Sequence, residues 1–343
     1  MSAVRKLRTV VITGASSGLG RATALELATP GTSLVLAARD VAALEDTAMR
    51  AREAGADAIV VETDVTDSSD VVRLAASAVD EYGAIDVWIN NAGVTLYAML
   101  EEGSLQQHEA VIRTNLFGSI YGARAVLPIF RRQHHGILIN VGSVLSEVGQ
   151  AFVPSYVISK FGVHGLSEAL RVEVADEPDI HVCTVFPYAI DTPHFEEAAN
   201  ELGVEPRALP PMQSPEDVAR AIVRLVEHPR RTRFVPRSLR LGVALHALAP
   251  RTTERLLLDA LRRWHLSDQP ARVGAGNIHE HGQSGGKRSG ERPPLISTWG
   301  LLAWLLRDFV RIQAESAARF THGVWRELTE RRELRKLARV EPT

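Results

Sequence analysis

One cysteine, Cys183, in 343 residues excludes an intramolecular disulfide framework, so a reducing compartment is compatible with the chain. Its setting in the apolar run IHVCTVFP suits a small core residue better than a nucleophile. Excess charge is missing too. The 39 basic and 41 acidic residues leave a formal charge of -2, which gives no electrostatic case for a nucleic acid or another strongly anionic partner. No apolar run reaches the length of a membrane span; the nearest, LISTWGLLAWLL at 295–306, is shorter and is followed by Arg307 and Asp308. The first residues, MSAVRKLRTVVITG, hold only a strand's length of apolar residues after the basic ones, so no export signal is expected and a cytoplasmic location is. His279 and His281 lack the cysteines or the spaced second pair that a zinc site needs. No metal is expected, and there is no internal repeat.

What is present is alternation. With 45% apolar and 23% charged residues, the chain can bury a substantial core. Strand-like runs occur at 8–13, 33–38, 58–63, 85–90, 136–141, 180–185 and 231–236. Helical patterns separate them, among them VAALEDTAMRAREAG and SSDVVRLAASAVDEYG, each ending at a glycine able to cap it. Strands apolar on both faces, with helices between them, predict a doubly wound α/β domain with a parallel sheet over residues 1–236. Three further stretches follow: a helical extension at 237–267, a Gly/Pro-rich flexible linker at 268–297, and an amphipathic helix at 298–343. The apolar stripe of that last helix runs through Leu302, Leu305, Phe309 and Ile312 to Phe320, Val324 and Leu328.

The first strand runs into TGASSGLG, residues 13–20, and then into a helix. Gly14, Gly18 and Gly20 allow a tight turn and let a pyrophosphate approach the helix N-terminus, whose free N–H groups and positive dipole end favour anions. Further on, SYVISKFG at 155–162 sets Tyr156 and Lys160 one helical turn apart on one face. Together with NNAG at 90–93, Ser143 in INVGSV and Asn115 in RTNLFG, these motifs identify a resemblance to the short-chain dehydrogenase/reductases. The resemblance covers about residues 6–236.

The resemblance implies a Rossmann-type fold, a nicotinamide cofactor, a small-molecule substrate and a homo-oligomer. It also implies a catalytic set of Asn115, Ser143, Tyr156 and Lys160. A free phenol ionises near 10; bringing it to about 7 takes about 4 kcal/mol, which the Lys160 ammonium and the oxidised nicotinamide are expected to supply. Tyr156 then serves as general acid and base while Ser143 holds the substrate oxygen. Lys160 is expected to hold the nicotinamide ribose, and Asn115 a water that relays protons from Lys160. Ser159 is given no role.

Cofactor contacts are expected from Gly14, Ser16, Ser17, Gly18, Leu19 and Gly20 at the first turn. Arg39, Asp64 and Val65 would serve the adenosine end, and Asn91, Ala92 and Gly93 the middle. Tyr156, Lys160, Pro187, Ile190 and Thr192 complete the set. The second strand ends in Ala38 and Arg39 rather than in an acid, which favours the 2′-phosphate of NADP, with NAD as the alternative. Asp40 reads as a helix N-cap. In FPYAIDTP at 186–193, Tyr188 stands where the family usually has glycine. A tyrosine would be strained at a positive φ, so either that loop differs or the ring lines the substrate pocket. Ser143, Val144, Leu145, Phe152 and Tyr188, with Val94 and the segment HFEEAANELGVEPRALPPM at 194–212, are the expected substrate wall. Their apolar character points to a hydrophobic ketone, aldehyde or secondary alcohol. A same-fold epimerase or dehydratase and a non-catalytic NADP(H) sensor are the competing classes. The tail helix either docks on its own domain, covers the cleft, pairs with a partner chain or makes peripheral membrane contact.

Overall fold

The computed structural model describes residues 8–280, 282, 287, 289, 294 and 296–311; the expectations for 312–343 lie outside them. Seven parallel strands form the central sheet: β1 (Arg8–Thr13), β2 (Thr32–Ala38), β3 (Asp57–Glu62), β4 (Val87–Asn90), β5 (Gly136–Val141), β6 (Ile180–Pro187) and β7 (Thr232–Val235). Their order is β7-β6-β5-β4-β1-β2-β3, which reverses direction beside β1 and opens a crevice at the strands' carboxyl ends.

Alternation along each strand feeds two apolar layers. Val10 and Ile12 of β1, with Leu34 and Leu36 of β2, face a layer containing α1 (Gly18–Leu27), α2 (Val41–Glu53) and the late helix Pro215–Glu227. Val11 and Val35 face the other layer, which is built from α3 (Ser68–Tyr82), α5 (Gly118–Gln133) and α6 (Pro154–Glu173). The short helix α4 (Leu105–Ile112) precedes α5. Local sequence sets the boundaries. Asp40 accepts a hydrogen bond from the Ala43 N–H at 3.0 Å and caps α2, Gly83 ends α3 at φ 76°, and Pro154 opens α6, where its missing N–H costs nothing.

A polar chain crosses the second layer. Trp88 Nε1 donates to Asn90 Oδ1 at 2.7 Å, Asn90 donates to Asn140 Oδ1 at 2.8 Å, and Asn140 donates to Ser167 Oγ at 2.8 Å. This chain ties β4, β5 and α6 together with buried amides.

After β7 come the helices Leu239–Leu248 and Pro250–Ala260, a π-helical turn Leu261–His265, a strand Leu266–Pro270 and a helix over 298–311. These do not stand apart. Leu256, Ala260, Leu261, Leu301 and Trp304 form an apolar cluster with Leu209, Phe152 and Tyr188, and Trp264 meets Trp304 edge-on with ring centroids 4.9 Å apart. The stretch expected to be a free linker is also held down: Leu266–Pro270 pairs antiparallel with Val204–Pro206, and Ile278 is buried beside Val94 and Leu96. The described part of the tail helix thus docks on its own domain. Among the described residues no helix is long and apolar enough to cross a membrane.

Asn140→Ala would leave a buried Asn90 N–H and the Ser167 hydroxyl short of partners. The expected cost is about 2–3 kcal/mol, read as a lower urea midpoint at unchanged slope. A midpoint within error of the wild type would mean that the amide chain contributes nothing to stability.

Candidate active site

The turn after β1 is a close-packed cradle. Gly14 has φ 67° and Gly18 φ 50°, values that favour glycine. A Cβ on Gly20 would lie 2.0 Å from the Gly14 carbonyl oxygen and 2.6 Å from Asn91 Nδ2, and one on Gly14 would lie 2.9 Å from Ala92 Cα. Asn91 locks this turn to the end of β4 by donating to Thr13 O at 2.9 Å and Gly14 O at 3.2 Å. Ser17, the N-cap of α1, makes no side-chain cap bond, so no side chain of the turn fills the helix end.

The chemistry-bearing side chains come from β5 and α6. Ser143 follows β5, and its Oγ accepts from the Leu145 N–H at 3.1 Å. Lys160 is 4% exposed; its Nζ donates to Val141 O at 2.8 Å and stands 5.4 Å from the Tyr156 ring centroid. Lys160 by itself does not supply the expected lowering of the Tyr156 pKa, and the physical reason is dryness. Burial pushes the phenol up to about 12, with the neighbouring Ser143 hydroxyl pulling weakly the other way, and burial brings the Lys160 ammonium down to about 8. The phenol therefore keeps its proton across the neutral range.

Asn115 sits in a π-helical turn, Arg113–Phe117. Its amide is spent on protein: it accepts from Val94 N at 2.8 Å and donates to Val94 O and to Ser159 Oγ, each at 3.0 Å. The side chain is thus a clamp between the β4 loop and α6, with both of its amide hydrogens used. Ser159, given no role from sequence, completes that clamp by donating to Tyr156 O at 2.7 Å.

A single cavity of about 320 Å³ gathers Ser143, Tyr156 and Lys160 with every residue expected to touch the cofactor, from Gly14 at the first turn to Thr192 after β6. Asn115 lies behind this wall. Asp64 lines it while accepting from Thr66 N at 2.9 Å and Thr66 Oγ1 at 2.8 Å, a turn cap. Of the expected substrate residues, Val94, Val144, Leu145 and Tyr188 line the cavity, whereas Phe152 does not. Phe152 instead takes φ 70° and packs into the extension's cluster. Tyr188 is free of that strain, since it is not among the positive-φ residues. Its N–H donates to Val235 O at 3.0 Å.

A family model described as short chain dehydrogenase matches residues 8–203. The chain belongs to the short-chain dehydrogenase/reductase family of oxidoreductases. An uncharacterized oxidoreductase of Bacillus subtilis, YxnA, is 34% identical over 321 residues, covering 87% of this chain and 90% of the relative, and so reaches into the extension. Two solved structures share the fold. A short-chain dehydrogenase/reductase from Burkholderia phymatum in complex with NAD aligns at TM-score 0.63 and 26% identity, over 78% of this chain and 99% of that one. An alcohol dehydrogenase from Thermococcus sibiricus complexed with 5-hydroxy-NADP aligns at TM-score 0.58 and 27% identity, over 66% and 94%.

One feature of this family member falls within the 194–212 segment expected at the substrate wall, and a second was missed from sequence. His194 lines the cavity with its ring centroid 6.0 Å from that of Tyr156, and burial, aided by the Lys160 charge, holds it near 4. The second feature is the C-terminal stretch itself. Arg39 donates to the carbonyls of Asn277, Ile278, His279 and Glu280 at 2.9, 3.5, 3.0 and 2.9 Å, and the Gly18 N–H donates to Lys287 O at 2.9 Å. His194 carries no motif of its own, and the backbone carbonyls have no sequence signal at all.

Two measurements test the site. Gly20→Ala should abolish nucleotide binding by fluorescence titration, because its Cβ has no room beside Gly14 O; wild-type affinity would refute the close approach. Folding lowers the Lys160 pKa to about 8 from 10.5, so between those values the unfolded chain binds the extra proton and stability through this group rises with pH. Lys160→Met should remove that part of the rise between pH 8 and 10 in denaturant titrations. Parallel pH profiles for the two proteins would show that the amine is not buried.

Proposed function

We propose that the protein is an NADP(H)-dependent oxidoreductase acting on a ketone, an aldehyde or the corresponding secondary alcohol. The observation that carries this reading is the meeting of Ser143, Tyr156 and Lys160 with the glycine turn in one cavity. The glycine cradle, the α1 N-terminus and Arg39 suit a dinucleotide phosphate. When bound, the nicotinamide supplies or accepts the hydride.

The chain's own residues handle the oxygen and its proton. Tyr156, held protonated by burial, donates its proton to the carbonyl oxygen as carbon is reduced, and takes it back when an alcohol is oxidised. Ser143 Oγ accepts from Leu145 N–H while its hydroxyl faces Tyr156, and with substrate bound that proton turns to hold the substrate oxygen in line. Lys160, with its ammonium weakened by burial, replaces the proton that Tyr156 gives up. The positive charge that builds on the cofactor in this direction favours the transient phenolate.

The absence of an acid at the end of β2 supports NADP over NAD, and the family's structures include complexes with both kinds of nucleotide. Arg39→Asp should weaken NADPH about tenfold or more relative to NADH, the loss of charge-assisted bonds to a phosphate. Equal loss of both would mean that Arg39 serves only the 277–280 carbonyls. Tyr156→Phe should cut kcat by about 10²–10⁴ while leaving the NADPH Kd unchanged, with NADPH absorbance followed across a panel of ketones and aldehydes. A wild-type rate in this variant would remove Tyr156 as the proton donor.

A further inference from the structure

One wall of the cavity is more polar than its apolar neighbours suggest. Thr95 and Tyr97 are alternate residues of an extended segment, so their side chains leave the same face about 7 Å apart. The Thr95 hydroxyl meets His194 Nε2 at 2.6 Å, and the Tyr97 ring lies 5.6 Å from the ring of His265. Both histidines line the cavity. With His194 beside Tyr156, this wall runs from the reacting end to His265, which the C-terminal extension supplies.

The surroundings of His265 determine its tautomer. The ring is 3% exposed, and Nδ1 faces the carbonyl oxygen of Arg207. A carbonyl only accepts, so Nδ1 carries the proton. The Arg207 N–H returns a bond to His265 O at 2.8 Å, which pins the residue from both sides. Burial pulls the imidazole down to about 4, so at neutral pH it holds that one proton and Nε2 is a bare lone pair. Among the described residues nothing donates to Nε2. A buried acceptor without a donor carries a desolvation penalty that a ligand can relieve.

We propose that His265 Nε2 receives a hydrogen bond from the substrate, which therefore bears an uncharged hydroxyl or N–H group several bonds away from its carbonyl. The proposal rests on reading this cavity as a carbonyl-reducing site and narrows the substrate class within it. A plain hydrocarbon ketone fits the apolar lining and leaves Nε2 unpaired, whereas a hydroxyketone pairs it. A cationic donor loses its hydration in the same dry space and is disfavoured. His265 is thus a specificity residue, remote from the proton transfer itself.

The test uses the full-length chain with NADP present and ketones carrying a hydroxyl at successive distances, each matched with its deoxy analogue. Calorimetric titration measures affinity whether or not turnover occurs. One member of the series should bind about tenfold more tightly than its analogue, the worth of one net hydrogen bond. In His265→Asn the shorter amide keeps a donor for the Arg207 carbonyl but has no acceptor at the Nε2 position. That variant should lose the tenfold preference and bind the deoxy analogue as the wild type does. Equal affinity within every pair, or a preference that survives in His265→Asn, overturns the proposal. Turnover of both members with NADPH reports separately on the oxidoreductase reading, so that reading can fail while the hydrogen-bond result stands, and the reverse.

Discussion

A buried ammonium bonded to a strand end holds the site together. Lys160 Nζ donates to the Val141 carbonyl, which seats α6 on the end of β5. Ser143 lies two residues beyond Val141, and Tyr156 lies one turn before Lys160, so this single contact sets the relative position of three chemistry-bearing groups. Removing a charge from water is costly. The same dryness that moves the amine toward neutrality also holds the proton on the phenol. The Asn115 clamp on Ser159 and Val94 fixes the other side of α6, so the acid is placed by two independent ties.

The C-terminal extension contributes to both ends of the cleft. At the substrate end it supplies Leu261 and His265 and packs its apolar cluster behind Phe152 and Tyr188. At the nucleotide end its carbonyls meet Arg39 and the first N–H of α1. Those carbonyls are neutral acceptors. A phosphate is charged, and its bonds to a guanidinium or a helix N-terminus are stronger than theirs. Under the proposed function, the extension's carbonyls occupy the same donors that a nucleotide phosphate would use.

Local pattern was sufficient wherever one stretch of chain carried both the structure and its purpose. The strand and helix alternation was readable from periodicity, the N-cap of α2 from Asp40, and the first turn from three glycines whose backbone must approach Asn91 and Ala92. Four separated motifs identified the family and named residues that share one cavity. Two outcomes depended on surroundings. The phenol's acidity follows from how dry its neighbours are, and the place of Phe152 follows from an apolar cluster built partly of residues more than a hundred positions later.

The sequence alone therefore determined the sheet, the glycine turn after β1 and the one-turn spacing of Tyr156 and Lys160, since each is encoded by spacing within a single element. Only the tertiary structure decided which nitrogen of His265 is bare, what Arg39 holds, and where the extension lies. Those outcomes depend on carbonyls and rings brought together from positions as far apart as 39 and 280. A backbone carbonyl has the same chemistry in every residue, so only folding distinguishes one from another.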